Sequence, residues 1–118
     1  MAVQVRRVYE DPSPDDGARV LVDRLWPRGV SKERAALDEW CKQVAPSPEL
    51  RTWFGHDRAK YDEFVRRYHD ELASGEKLQA LRSLRERART GTLTLVTATK
   101  DEDHCAAEVL FEMLKDSP

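Results

Sequence analysis

Long apolar runs, paired cysteines and an excess of charge of one sign are all missing from this sequence. The longest strongly apolar runs, such as Val20 to Val22, fall far short of the roughly 18 residues needed to cross a bilayer. The start from Met1 to Tyr9 carries Arg6 and Arg7 in place of a leader's apolar core, so a cytoplasmic protein without membrane attachment is expected. The cysteines, Cys41 and Cys105, are far apart and form no C-x-x-C, which favours reduced thiols over a disulfide framework. Glycine and proline supply 5 and 6 positions of 118, too few for a fibrous repeat, and a hydrophobic fraction of 40% argues against disorder. Lysine plus arginine number 20 against 22 acidic residues, and the resulting charge of −2 argues against a dedicated electrostatic nucleic-acid binder.

What is present is a strongly charged chain, 36% Asp, Glu, Lys and Arg, of a length that suits one domain over residues 1–118. Val3, Val5, Val8 and Tyr9 predict a strand near 3–9, followed by the turn-rich Asp11-Pro-Ser-Pro-Asp-Asp-Gly17. A second strand is expected over Arg19 to Asp23, where the continuous Val20-Leu21-Val22 fits burial on both faces of a sheet. Pro27-Arg-Gly29 ends it. Ser31 is placed to cap a helix with Glu33 in its first turn, and Leu37, Trp40, Cys41 and Val44 continue at helical spacing, which makes Cys41 a core residue.

Ser47-Pro48-Glu49 begins a short helix that Gly55 ends. Tyr61, Phe64, Val65, Tyr68 and Leu72 mark the clearest amphipathic helix, and Gly75 ends or separates it from another carrying Leu78, Leu81, Leu84 and Ala88. Thr92 to Ala98 reads as a third strand. Thr99-Lys-Asp-Glu102 fits a capping box for a last helix beginning near Asp101 or Asp103, with Ala106, Val109, Leu110, Met113 and Leu114 on one face. The expected fold is a small three-layer α/β domain, with a short mostly parallel or mixed sheet of about three strands and five or so helices.

The densest chemistry lies in Asp23-Arg-Leu-Trp-Pro-Arg-Gly-Val-Ser-Lys-Glu33, directly after a buried strand. Arg24 and Arg28 beside a helix N-terminus suit a phosphate or carboxylate. Internal salt bridges from Asp23 to these arginines, with Trp26 filling core, are the structural alternative. Parallel pairing of the second and third strands would bring Lys100 and Asp101 to the same end, where ligands of open α/β sheets gather. Asp101, Asp57 and His56 are candidate proton-transfer groups, with helix capping the alternative for both aspartates and a solvated loop position the alternative for His56. His104-Cys105 has no metal-module spacing, so neither a metal nor a cofactor is expected. Arg82 to Arg89 reads as the solvent side of a helix, since no aromatics interleave for base stacking.

Asp23 to Glu33, Ala45-Pro-Ser-Pro-Glu-Leu-Arg51, Trp53-Phe-Gly-His-Asp57, Phe64-Val-Arg-Arg-Tyr68 and Thr94-Leu-Val-Thr-Ala-Thr-Lys-Asp101 together resemble the YeaO-like family, a bacterial group of unknown function. The resemblance spans nearly the whole chain. It implies a compact cytosolic α/β domain and puts weight on Arg24, Trp26, Arg28, Arg51, Trp53, His56, Asp57, Lys100 and Asp101. Such sequences tend to have His-Asn where this one has His104-Cys105. Broader relatives look distantly rhodanese-like, but no cysteine here stands in the position of a sulfur carrier.

Three readings follow. In the first, Arg24, Trp26, Arg28, Arg51 and Lys100 bind a small anionic metabolite or nucleotide, with His56, Asp57 or Asp101 handling protons in a hydrolase or transferase step. In the second, Trp26 or Trp53 anchors a protein partner. In the third, Arg82 to Arg89 makes weak contact with nucleic acid.

Overall fold

The computed structural model describes residues 2–115. Four strands form one wholly parallel sheet: β1 (Ala2–Arg7), β2 (Ala18–Leu21), β3 (Glu39–Trp40) and β4 (Thr92–Thr97), in the order β1-β4-β2-β3. The helices are α1 (Lys32–Ala35), α2 (Pro48–Phe54), α3 (Tyr61–Leu72), α4 (Gly75–Thr90) and α5 (Ala106–Leu114), with three short 3-10 turns between elements. The α/β class is as expected, with one strand more than the sequence signals.

Alternation along the strands divides the core in two. Val20, Val22, Leu93 and Leu95 face a large cluster built with Phe54, Phe64, Tyr68, Leu84 and Leu110 from α2 to α5. Leu21 and Val96 point the other way, onto Val8, Val30 and Ala35, flanked by Trp26 and Trp40. The helical layers are therefore unequal: four helices cover one face, and the four-residue α1 with its flanking loops covers the other. Within the larger cluster Phe54 and Phe64 stack with centroids 4.2 Å apart, and the Tyr68 hydroxyl donates to the Val44 carbonyl.

Local signals account for much of this. Ser47 Oγ accepts from Leu50 N at 3.1 Å, Pro48 opens α2, and Gly55 closes it in the left-handed region. Gly17 is required twice over: its φ is +62°, and a Cβ there would lie 2.3 Å from the Thr92 carbonyl oxygen.

Two expectations need correction. The helix after Ser31 stops at Ala35, because Ala36 turns left-handed with φ 49° and its N–H closes on Lys32. From there the chain is drawn onto the edge of β2: Asp38 N donates to Arg19 O, Cys41 N donates to Leu21 O, and Asp38 Oδ2 accepts from Arg19 N at 2.8 Å. Trp40 is thus in a strand, and Cys41 lies in the larger core cluster while Trp40 and Leu37 flank the smaller one. The last helix likewise starts at Ala106 rather than near Asp101 or Asp103, with Cys105 at the N-cap and no capping side-chain bond. Thr99 Oγ1 donates to Thr97 Oγ1 at 3.2 Å, and Asp101 is engaged by Arg58 and His104.

Candidate functional site

The carboxyl ends of the adjacent strands β2 and β4 open onto a cleft of about 430 Å³. Its walls come from the segment after β2, the segment after β4, helix α2 and the residues that follow it. Arg24, Trp26, Arg28, Arg51 and His56 all line it. The apolar part is supplied by Val22, Pro27, Pro46, Phe54 and Phe64.

The ring side chains and the turn between them are positioned by identifiable chemistry. Trp26 donates Nε1–H to the Val30 carbonyl at 2.7 Å, and its ring packs edge-on to Trp40 at 5.3 Å, so its orientation is fixed from two sides. Trp40 in turn donates to the Asp23 carbonyl at 2.8 Å. Gly29, with φ 76°, turns the chain beside Arg28, whose carbonyl accepts from the Tyr9 hydroxyl at 3.4 Å. His56 follows Gly55 in the left-handed region, φ 58° after 54°, and its ring lies 5.8 Å from that of Phe54. A left-handed backbone is uncommon for any residue but glycine.

Sequence reasoning did not select Asp23 as a ligand-facing group. Asp23 lines the cleft, and its Oδ1 accepts from Thr97 Oγ1 and its Oδ2 from Ala98 N, each at 2.8 Å. Burial raises its pKa above the ordinary carboxylate range, opposed by those two hydrogen bonds and by the nearby charges of Arg51 and His56. The salt bridges from Asp23 to Arg24 and Arg28 that formed the structural alternative are absent among the described residues. Neither those two guanidinium groups nor that of Arg51 has an ion pair or side-chain hydrogen bond among the described residues.

The remaining candidates lie elsewhere. Lys100 and Asp101 do not line the cleft, although their neighbours Ala98 and Thr99 do. Asp101 accepts from Arg58 Nε at 2.7 Å and pairs with His104 Nδ1 at 3.1 Å. The hydrogen bond from His104 and then that from Arg58 hold its carboxyl below the ordinary range. Asp57 caps the 3-10 turn at Arg58–Lys60, accepting from Ala59 N at 2.9 Å. Trp53 is covered on its ring by Arg67, 4.3 Å from the centroid, and by Lys60 at 5.2 Å. The helix N-terminus envisaged for the anion is not on offer, because α1 has four residues and Ser31 Oγ already accepts from Arg34 N at 3.0 Å.

Cys105 also borders the cleft, yet it is buried and its thiol is pushed up to about 11, chiefly by that burial. A thiol so shifted is not a ready nucleophile. On the basic helix face, Arg87 pairs with Glu39 at 3.1 Å and Arg89 with Glu86 at 3.0 Å. Among the described residues no group of three or more His, Cys, Asp or Glu is arranged to hold a metal, and no helix is long and apolar enough to cross a membrane.

Two comparisons place the chain among known proteins. An uncharacterized protein of Mycobacterium tuberculosis strain H37Rv is 48% identical over 112 residues, covering 95% of this chain and 92% of its own length. The uncharacterized protein YeaO of Escherichia coli K12 is 42% identical over 115 residues, covering 98% of each. No solved structure matches. A family model described as the inactive DUF488-N3 subclade matches residues 2–117. The chain belongs to that family, a YeaO-like domain of unknown function.

Proposed function

We propose that this domain binds a small anionic ligand in the cleft at the carboxyl ends of β2 and β4, without turning it over. The observation that carries this reading is the set of three guanidinium groups, Arg24, Arg28 and Arg51, around one cleft with no carboxylate partner among the described residues. Arginine's planar fork suits phosphate or carboxylate oxygens, and such charge-assisted bonds are among the strongest available to a protein. A cleft of about 430 Å³ falls within the usual size of small-molecule sites.

The arrangement favours binding over catalysis. Of the three proton-transfer candidates only His56 borders the cleft; Asp57 is a cap and Asp101 is held by Arg58 and His104. The inactive label on the family agrees with this reading. The protein-anchor reading is weaker, because Trp26 is packed against Trp40 and Trp53 lies beneath Arg67 and Lys60.

Titration calorimetry of the full chain with inorganic phosphate tests the proposal. Wild type is expected to bind, and Arg28→Ala to bind at least about tenfold more weakly, the loss expected for one hydrogen bond to a charged group. Equal affinities in the two proteins would refute it.

A further inference from the structure

A half-buried carboxylate is out of place in a site built only for an anion. Asp23 lines the same cleft as Arg24, Arg28 and Arg51, and it would weaken their hold on a ligand that offered nothing but negative charge. Its own bonds leave it receptive. An ionised carboxylate has about four lone-pair sites, and Thr97 Oγ1 and Ala98 N use one on each oxygen. Each oxygen therefore keeps lone-pair capacity for one further N–H.

The size and the walls of the cleft narrow the ligand further. About 430 Å³ exceeds what a lone phosphate or a short phosphoamine fills, and falls in the range of about 300–1,000 Å³ typical for larger organic ligands. Trp26, Pro27 and Phe54 supply flat apolar surface, and Trp26 is held in one orientation by Val30 and Trp40. A ring held this way offers a preformed stacking platform, at little entropic cost to the ligand's binding.

From this juxtaposition we infer that the ligand is a nucleoside monophosphate whose base presents two adjacent N–H donors, as guanine does: phosphate on the arginines, ring against Trp26, base edge on Asp23. The inference rests on the anion-binding reading and adds the body and edge of the ligand to it. A guanine edge gives one donor to each carboxylate oxygen, N1–H and the exocyclic amine. Hypoxanthine lacks the amine, and xanthine puts a carbonyl oxygen in its place, facing the carboxylate with an acceptor.

Titration calorimetry on the full chain with GMP, IMP, XMP and ribose 5-phosphate separates the two levels. For wild type the expected order is GMP, then IMP, then XMP, with GMP at least about tenfold tighter than ribose 5-phosphate, a modest return for one stacked base. Asp23→Asn, which presents a donor beside an acceptor, is expected to reverse the preference so that XMP binds more tightly than GMP. That gain cannot come from a folding defect. Should the variant not fold, the wild-type order across the three nucleotides decides by itself.

Ribose 5-phosphate binding as tightly as GMP would overturn the nucleobase inference and leave the anion reading standing. A GMP preference that persists in Asp23→Asn would overturn the role of Asp23. No binding of any of the four ligands or of inorganic phosphate would overturn both.

Discussion

The two ends of β2 treat charge in opposite ways. At the entering end Arg19 is 5% exposed and Asp16 1%, and the guanidinium has its donors engaged by Asp16 Oδ2 at 2.6 Å, Ala35 O at 2.9 Å and Ala36 O at 3.1 Å. Asp16 in turn accepts from Ser13 N at 3.0 Å and from Gln4 Nε2 at 3.1 Å. Burial pushes its pKa up, but the Ser13 N–H and the Arg19 guanidinium outweigh that and leave it below the ordinary carboxylate range. At the leaving end, Arg24 and Arg28 sit on solvent beside a carboxylate that looks past them to Thr97 and Ala98. The closed cluster serves the fold, tying β2 to α1 and to the turn before it; the open one has donors left over for a ligand.

The sharpest way to break this contrast is to remove one charge at each end. Asp16→Ala leaves Arg19 buried without its counter-charge, and a loss of about 3–5 kcal/mol in stability is expected. Arg28→Ala, on an exposed side chain with no partner among the described residues, is expected to stay within about 0.5 kcal/mol of wild type. Urea denaturation measures both. Similar losses in the two variants would mean that the arginine at the leaving end is also structural.

The sequence made the closed parts of the molecule more legible than the open ones. Ser47-Pro48 and Gly55 delimit α2 because capping is settled within a few residues, and the continuous Val20-Leu21-Val22 announced a strand covered on both faces. Leu37, Trp40, Cys41 and Val44 mimicked a helix because their spacing is local, whereas the bonds that make Trp40 a strand residue come from β2, about twenty positions earlier. Thr99 to Glu102 looked like a cap for the same reason. Its neighbour Ala98 pairs with Asp23, and Asp101 takes Arg58 as well as the nearby His104, so two of these three partners are far away in sequence. Arg24, Arg28, Arg51 and His56 could be nominated by residue type and by the ends they occupy. Asp23 could not, since its orientation depends on a hydrogen bond from Thr97, 74 positions later, that exists only once β2 pairs with β4.

His56 sharpens the comparison from the ligand side. Its left-handed backbone puts an imidazole on the cleft where glycine would sit with less strain. His56→Gly is therefore expected to stabilise the fold by about 0.5–1 kcal/mol, the left-handed penalty less the extra chain entropy of glycine. Phosphate affinity should fall in the same variant. Lower stability in the glycine variant would show that the contact with Phe54 outweighs the strain, and that His56 belongs with the closed residues instead.

Asp101 gives the smallest effect and a separate test of where the boundary between the two kinds of charge runs. Its carboxyl is held down by His104 and Arg58, so its contribution to stability is complete above the ordinary carboxylate range and disappears as the pH falls through its lowered folded value. Asp101→Asn should thus lower stability slightly near neutrality, and the difference from wild type should shrink to nothing in acid. Arg58 is largely exposed, which keeps the effect small. Because Asp101 does not line the cleft, phosphate affinity at neutral pH should be unchanged in the variant. A variant that kept its stability profile but lost phosphate would move Asp101, and with it the loop after β4, from the closed set of charges to the open one.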